Sequence, residues 1–198
     1  MTITELYEQL ADPDFKDPAT GDLFFPAYMY TYDPELERQI DAEIQDIKER
    51  LHRPNTYVDV LVLDIFDELC AYLETQSLMG RSKLDFYLER ESQRPDVVAK
   101  DLKELAYSEE FLGMMGDKIQ AHLATAGEYE KAYVFMKGFG RIYPYLRVSR
   151  FMNKFEKHIK GYKLILFYPG SAGRAYHMFN LLQDDHLYRA IHLINEPE

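Results

Sequence analysis

Three groups of residues in this 198-residue chain have types and spacings that could carry chemistry. Asp64, Asp67 and Glu68 close an apolar run, and clustered carboxylates can hold Mg²⁺ or act as an acid and a base. Gly138 and Gly140 follow a second apolar run, where a glycine turn can bring backbone N–H groups up to phosphate. Arg147, Arg150, Lys154 and Lys157, spaced 3, 4 and 3 apart, share one helical face that suits carboxylate or phosphate.

Each group also has a plainer explanation. A carboxylate just before a helix caps it, which accounts for Asp64 without catalysis. A metal-dependent nuclease built on Asp64, Asp67 and Glu68 would also want a lysine, and none stands at a recognisable spacing. The glycine turn lacks the Gly-x-x-x-x-Gly-Lys-Ser/Thr phosphate loop, and "PGSAGRAY" supplies glycines without the lysine or the hydroxyl. In the dinucleotide fingerprint Tyr143 stands where the third glycine belongs, so Gly138 and Gly140 read as a structural turn. The six histidines include no His-x-x-x-His pair, and Cys70 falls on an apolar helix face as a core thiol. No catalytic residue, metal or cofactor is expected.

The cationic group survives this weighing best. Lys137 to Arg174 holds nine Lys/Arg, Arg141 among them, and one acid, Glu156; its charge of +8 leaves −19 for the rest of a chain whose total is −11. Val148, Phe151, Met152, Phe155 and Ile159 occupy the opposite helical face, so the helix should dock on a sheet with its cations outward. An acidic body with one basic window points to an anionic partner surface and away from a general nucleic-acid coat.

The elements that position these groups are legible as periods. Thr2 or Thr4 opens a short helix; "LFFPAYMYTY" is strand-like; Asp33-Pro34 starts a helix with Leu36, Ile40, Ile44, Ile47 and Leu51 inward. "YVDVLVLDIF" is a buried strand from Val58, and a helix follows with Phe66, Leu69, Cys70 and Leu73. A long helix is expected from Asp96, bent or divided at Gly113 and Gly116. "KAYVFMKGFG", "YKLILFYPG" and "LYRAIHLI" are further strands. The sum is one α/β domain over residues 1–198: three layers, a mainly parallel sheet of about five strands, helices on both faces and a helical insertion or cap around 77–126. The topology is nucleotide-binding-like without a phosphate loop. No apolar run approaches a membrane span, the start lacks a secretory signal, and one cysteine suits a reducing compartment, so the cytoplasm is expected.

"GFGRIYPYLR", "LILFYPGSAGRAYHMFNLL" and "DDHLYRAI", taken together over roughly residues 131–194, resemble the BrxB family of bacteriophage-exclusion (BREX) systems. The matching positions are Gly138, Gly140, Tyr143, Pro144, Leu146, Arg147, Asn153, Tyr168, Pro169, Gly170, Asp184, Asp185, Tyr188 and Arg189. The sequence departs from the family pattern at Val148-Ser149 and at Ser171-Ala172. The resemblance implies a small component of a phage-defence complex, with no catalytic activity or cofactor to carry over. It would support host DNA methylation and phage exclusion beside an alkaline-phosphatase-like protein (PglZ), a large ATPase (BrxC) and a DNA methyltransferase (PglX). The expected function is a non-enzymatic scaffold that binds one of these, PglZ first, through Arg141, Arg147, Arg150, Lys154 and Lys157. DNA would be touched only within the complex. The alternative is a degenerate nucleotide- or DNA-binding protein with its site at Gly138–Arg147.

Overall fold

A computed structural model describes residues 2–17, 26–125, 127–172, 176–179, 181–183 and 191–192. Thr2 opens α1 (Ile3–Ala11) through a reciprocal capping box with Glu5. Asp12 caps the short α2 (Pro13–Lys16) and leads towards β1 (Ala27–Tyr32). Asp33 accepts the Glu35 N–H and starts a 3-10 turn that runs into α3 (Glu37–Leu51). The sheet then gains β2 (Leu61–Asp64), followed by α4 (Ile65–Thr75), a small hairpin of β3 (Ser77–Leu78) and β4 (Arg81–Ser82), and α5 (Lys83–Glu91). Next come α6 (Pro95–Ala106), α7 (Glu109–Ala124), β5 (Tyr133–Lys137), α8 (Phe139–Ile142) and α9 (Val148–Phe155). The last elements are β6 (Lys163–Ala172), β7 (Tyr176–Met178), β8 (Leu182–Gln183) and β9 (Ile191–His192).

The main sheet has the order β2-β5-β6-β1-β9, with every neighbouring pair parallel. Alternation sorts its side chains into two cores, as a period of two requires. Tyr28, Tyr30, Tyr133, Phe135, Ile165 and Phe167 meet Leu6, Leu10, Ile40, Ile44 and Ile47 of α1 and α3 on one face. Met29, Val134, Met136, Leu164 and Leu166 meet Leu69, Leu112, Met115, Phe151 and Phe155 of α4, α7 and α9 on the other. This is the expected three-layer α/β architecture.

Two boundaries differ from the expectations. The long helix divides at Tyr107–Ser108, because the Ser108 hydroxyl accepts the Phe111 N–H (3.2 Å) and starts a new helix. Gly113 and Gly116 lie inside α7, and Gly116 makes room for the His158 ring. The second strand begins at Leu61, with Val58 in an isolated bridge to Glu130. Of the first and last expected strands, residues 23–25, 187–190 and 193–194 fall outside the described residues.

Candidate functional site

In an open parallel sheet, ligands bind beyond the carboxyl ends of the strands, above all where connections leave in opposite directions. Here β1 connects one way to β2 and β6 the other way towards β9, so that point lies between β1 and β6. There β6 does not stop. It runs beyond Pro169, the register partner of Tyr32, and pairs antiparallel with β7 through Gly170 and Met178.

The acidic and glycine groups meet at the ends of β2 and β5, where Asp64 and Lys137 are register partners. Asp64 is 8% exposed. Its Oδ1 accepts the N–H groups of Phe66 (3.0 Å) and Asp67 (3.3 Å), so it caps α4 as expected. Its Oδ2 accepts from Lys137 Nζ (2.9 Å) and Arg141 (2.8 Å). Lys137 also donates to Asp41 (2.7 Å), and Arg141 to Asp67 (2.8 Å). Arg141 lies 4.7 Å from the Phe66 ring centroid as well. Glu68 pairs elsewhere, with Lys118. Gly138, with φ 84°, presses its backbone against the Asp64 carboxylate. The glycine turn therefore faces an anion belonging to the chain itself, where a phosphate-binding turn would need that space open.

Burial alone would push the Asp64 carboxyl up, but the hydrogen bond and charge of Lys137, the charge of Arg141 and the Asp67 N–H outweigh it. The result lies below the ordinary value of 3.8. A carboxyl depressed in the folded state stabilises it above the unfolded value, and that contribution is lost as pH falls through the folded value. Urea unfolding at pH 7 and near pH 3 should therefore show a smaller acid loss in Asp64→Asn than in the parent, since Asn keeps the cap and cannot titrate. Equal acid losses would show that this carboxyl does not contribute.

The cationic residues lie where the period places them. Val148, Phe151, Met152, Phe155 and Ile159 are buried, and Arg147, Arg150, Lys154 and Lys157 are exposed. Tyr107, at the junction of α6 and α7, supports the row. Its hydroxyl accepts the Arg147 backbone N–H (2.7 Å), its carbonyl accepts Lys154 Nζ (3.0 Å), and its ring lies 4.5 Å beneath the Arg150 guanidinium. Lys157 pairs with Glu109. Lys163, counted in the basic window, is 1% exposed and donates to the Phe15 carbonyl, so it adds nothing to the surface.

Tyr143, Pro144 and Gly140 shape the turn between β5 and α9. The Tyr143-Pro144 peptide is cis, and Tyr143 packs edge-on against Phe179. Gly140 lies within α8 against Pro169 and Phe179. Tyr168 and Gly170 are buried and Asn153 is exposed. Asp184, Asp185, Tyr188 and Arg189 lie outside the described residues. Cys70 is half-buried, and burial raises its thiol pKa. Among the described residues no group of three or more His, Cys, Asp or Glu is arranged to hold a metal ion, and no helix is long and apolar enough to cross a membrane.

Sequence reasoning missed three participants. Lys137 reaches Asp64 from a strand 73 positions away, so no motif spacing could reveal the lysine thought to be missing. Asp41 joins from α3 on the far side of Lys137. Tyr107 carried no signal beyond being an aromatic at the end of an amphipathic run.

A family model described as "BREX protein BrxB" matches residues 61–193, a span that holds Asp64, Lys137, Arg141 and all of α9. A protein of Bacillus cereus (strain H3081.97) named "BREX protein BrxB" is 21% identical over 196 residues, covering 98% of this chain and 96% of that one. No solved structure matches the chain.

Proposed function

We propose that this chain, which belongs to the BrxB family and so has a role in a BREX phage-defence system, serves that system as a non-catalytic docking component in the cytoplasm. It binds another protein of the system through the exposed face of α9 and thereby supports host DNA methylation and phage exclusion. On the family resemblance the first-choice partner is a PglZ-like protein of the alkaline-phosphatase superfamily, then BrxC or PglX, with DNA touched only inside the complex.

The observation that carries this is the row Arg147, Arg150 and Lys154, exposed on a chain of charge −11 and held in position by one buried tyrosine. Holding the cations in advance lowers the ordering cost of binding. Arg147 and Arg150 have no carboxylate partner among the described residues, so they remain available to an acidic surface. Arg141 lies on α8 with its guanidinium already engaged by Asp64 and Asp67.

Co-expression with each protein of the locus, followed by size-exclusion chromatography, tests the proposal. Reversing both Arg147→Glu and Arg150→Glu should weaken the complex by about thirtyfold or more, since buried interfacial charges are worth about 2 kcal/mol or more. The melting temperature should hardly move, because exposed substitutions usually change stability within about 0.5 kcal/mol. Unchanged co-elution of the double variant would remove α9 from the interface. A thermal rise with ATP, GTP, S-adenosylmethionine or short duplex DNA would instead support a ligand site at Gly138–Arg147.

A further inference from the structure

The β3–β4 hairpin turns at Met79-Gly80, with φ 54° and 81°. Two consecutive positive φ values define the hairpin turn that favours Asn-Gly, because a Cβ in the left-handed region is crowded by the following carbonyl. Met79 is in addition 85% exposed, the highest value among the exposed large apolar side chains of the described residues. Methionine is therefore unfavourable here twice over, in backbone conformation and in hydration, and the fold recovers little by burying it. Asparagine would serve the turn better on both counts.

Beside this tip lies an open concavity of about 450 Å³ lined by Met79, Arg81, Phe86, Glu89, Arg90 and Gln93. The guanidinium groups of Arg81 and Arg90 lie 5.6 and 4.9 Å from the Phe86 ring centroid. Arg81 pairs with Glu89, whereas Arg90 has no carboxylate partner among the described residues. A guanidinium held near a ring keeps N–H groups available to accept a carboxylate in a fixed geometry. Two arginines against one glutamate leave the concavity cationic on an acidic chain. One unpaired cation is too little to track a phosphate backbone, whose binding needs several neutralised phosphates. It is enough for a side-chain carboxylate beside an apolar contact.

We propose that this concavity docks an acidic segment of a partner protein that also carries an apolar side chain, with Met79 and Phe86 meeting the apolar group and Arg81 and Arg90 the carboxylates. The site lies around the β3–β4 hairpin and α5 and does not depend on α9 being an interface.

The test uses the full chain, with Met79→Asn, Arg90→Glu and the α9 double reversal each co-expressed with the other proteins of the defence locus. Met79→Asn should raise the melting temperature of the free chain by relieving the turn, yet weaken the complex by about tenfold or more. Arg90→Glu should weaken it similarly with only a small fall in melting temperature, from the lost contact to Phe86 and the anion in the last turn of α5. Full binding by both concavity variants, or no complex with the parent chain, overturns the proposal; α9 variants that lose binding while these keep it leave only the α9 face standing. If Met79→Asn abolishes self-association instead, the occupant is a second copy and the acidic-segment assignment falls. A lower melting temperature in Met79→Asn would refute the strain on which it rests.

Discussion

Gly138→Ala is expected to lower the stability of the chain by about 2–4 kcal/mol. Two effects combine. The backbone at Gly138 has φ 84°, which costs a residue with a Cβ about 1–2 kcal/mol. The new methyl would also lie 2.2 Å from Asp64 Oδ1, the oxygen that caps α4. Relief requires the carboxylate to move, and movement disturbs the cap together with the contacts to Lys137 and Arg141. Denaturant midpoints measure the loss directly. Combined with Asp64→Ser, which shortens the side chain and keeps a capping oxygen, the change should cost less than the sum of the two single losses, because residues in contact do not add independently. Strict additivity of the two changes would show that the clash contributes nothing.

Gly170→Ala is expected to cost more, about 3 kcal/mol or beyond. Its φ of 150° is accessible in practice only to glycine, and the added Cβ would sit 2.1 Å from the His177 carbonyl oxygen. A side chain such as Asp64 can swing away; a backbone carbonyl within a hairpin cannot. The β6–β7 pairing, in which Ser171 faces His177, should open. Faster amide exchange at Ser171 and Met178, together with a lower denaturant midpoint, would report it. An unchanged midpoint with retained protection would show that the hairpin tolerates a Cβ and that its geometry is not fixed by this glycine.

These two glycines were visible in the sequence, but the neighbours that crowd them were not. A turn between a strand and a helix accounts for Gly138 as a residue that needs positive φ, and that expectation is correct. The neighbour that makes the position intolerant is Asp64, 74 residues earlier, and only the parallel pairing of β2 with β5 brings it near. Gly140 was grouped with Gly138 on spacing alone. It lies inside α8 and serves close packing against Pro169 and Phe179. The two glycines of one motif thus answer to different constraints.

Period and capping were determined by the sequence itself: the amphipathic faces of α3 and α9, the apolar runs of β1, β5 and β6, and the Asp64 cap each depend on residues within a few positions of one another. Such local patterns survive any tertiary arrangement, which is why the α/β architecture and the outward cations of α9 were legible in advance. The tertiary structure alone decided which of these cations are paired within the chain. It buries Lys163, gives Lys137 and Arg141 to carboxylates, and brings Tyr107 beneath Arg150. A charge count sums residues along the chain, whereas pairing acts through distances of a few ångströms across strands and helices far apart in sequence.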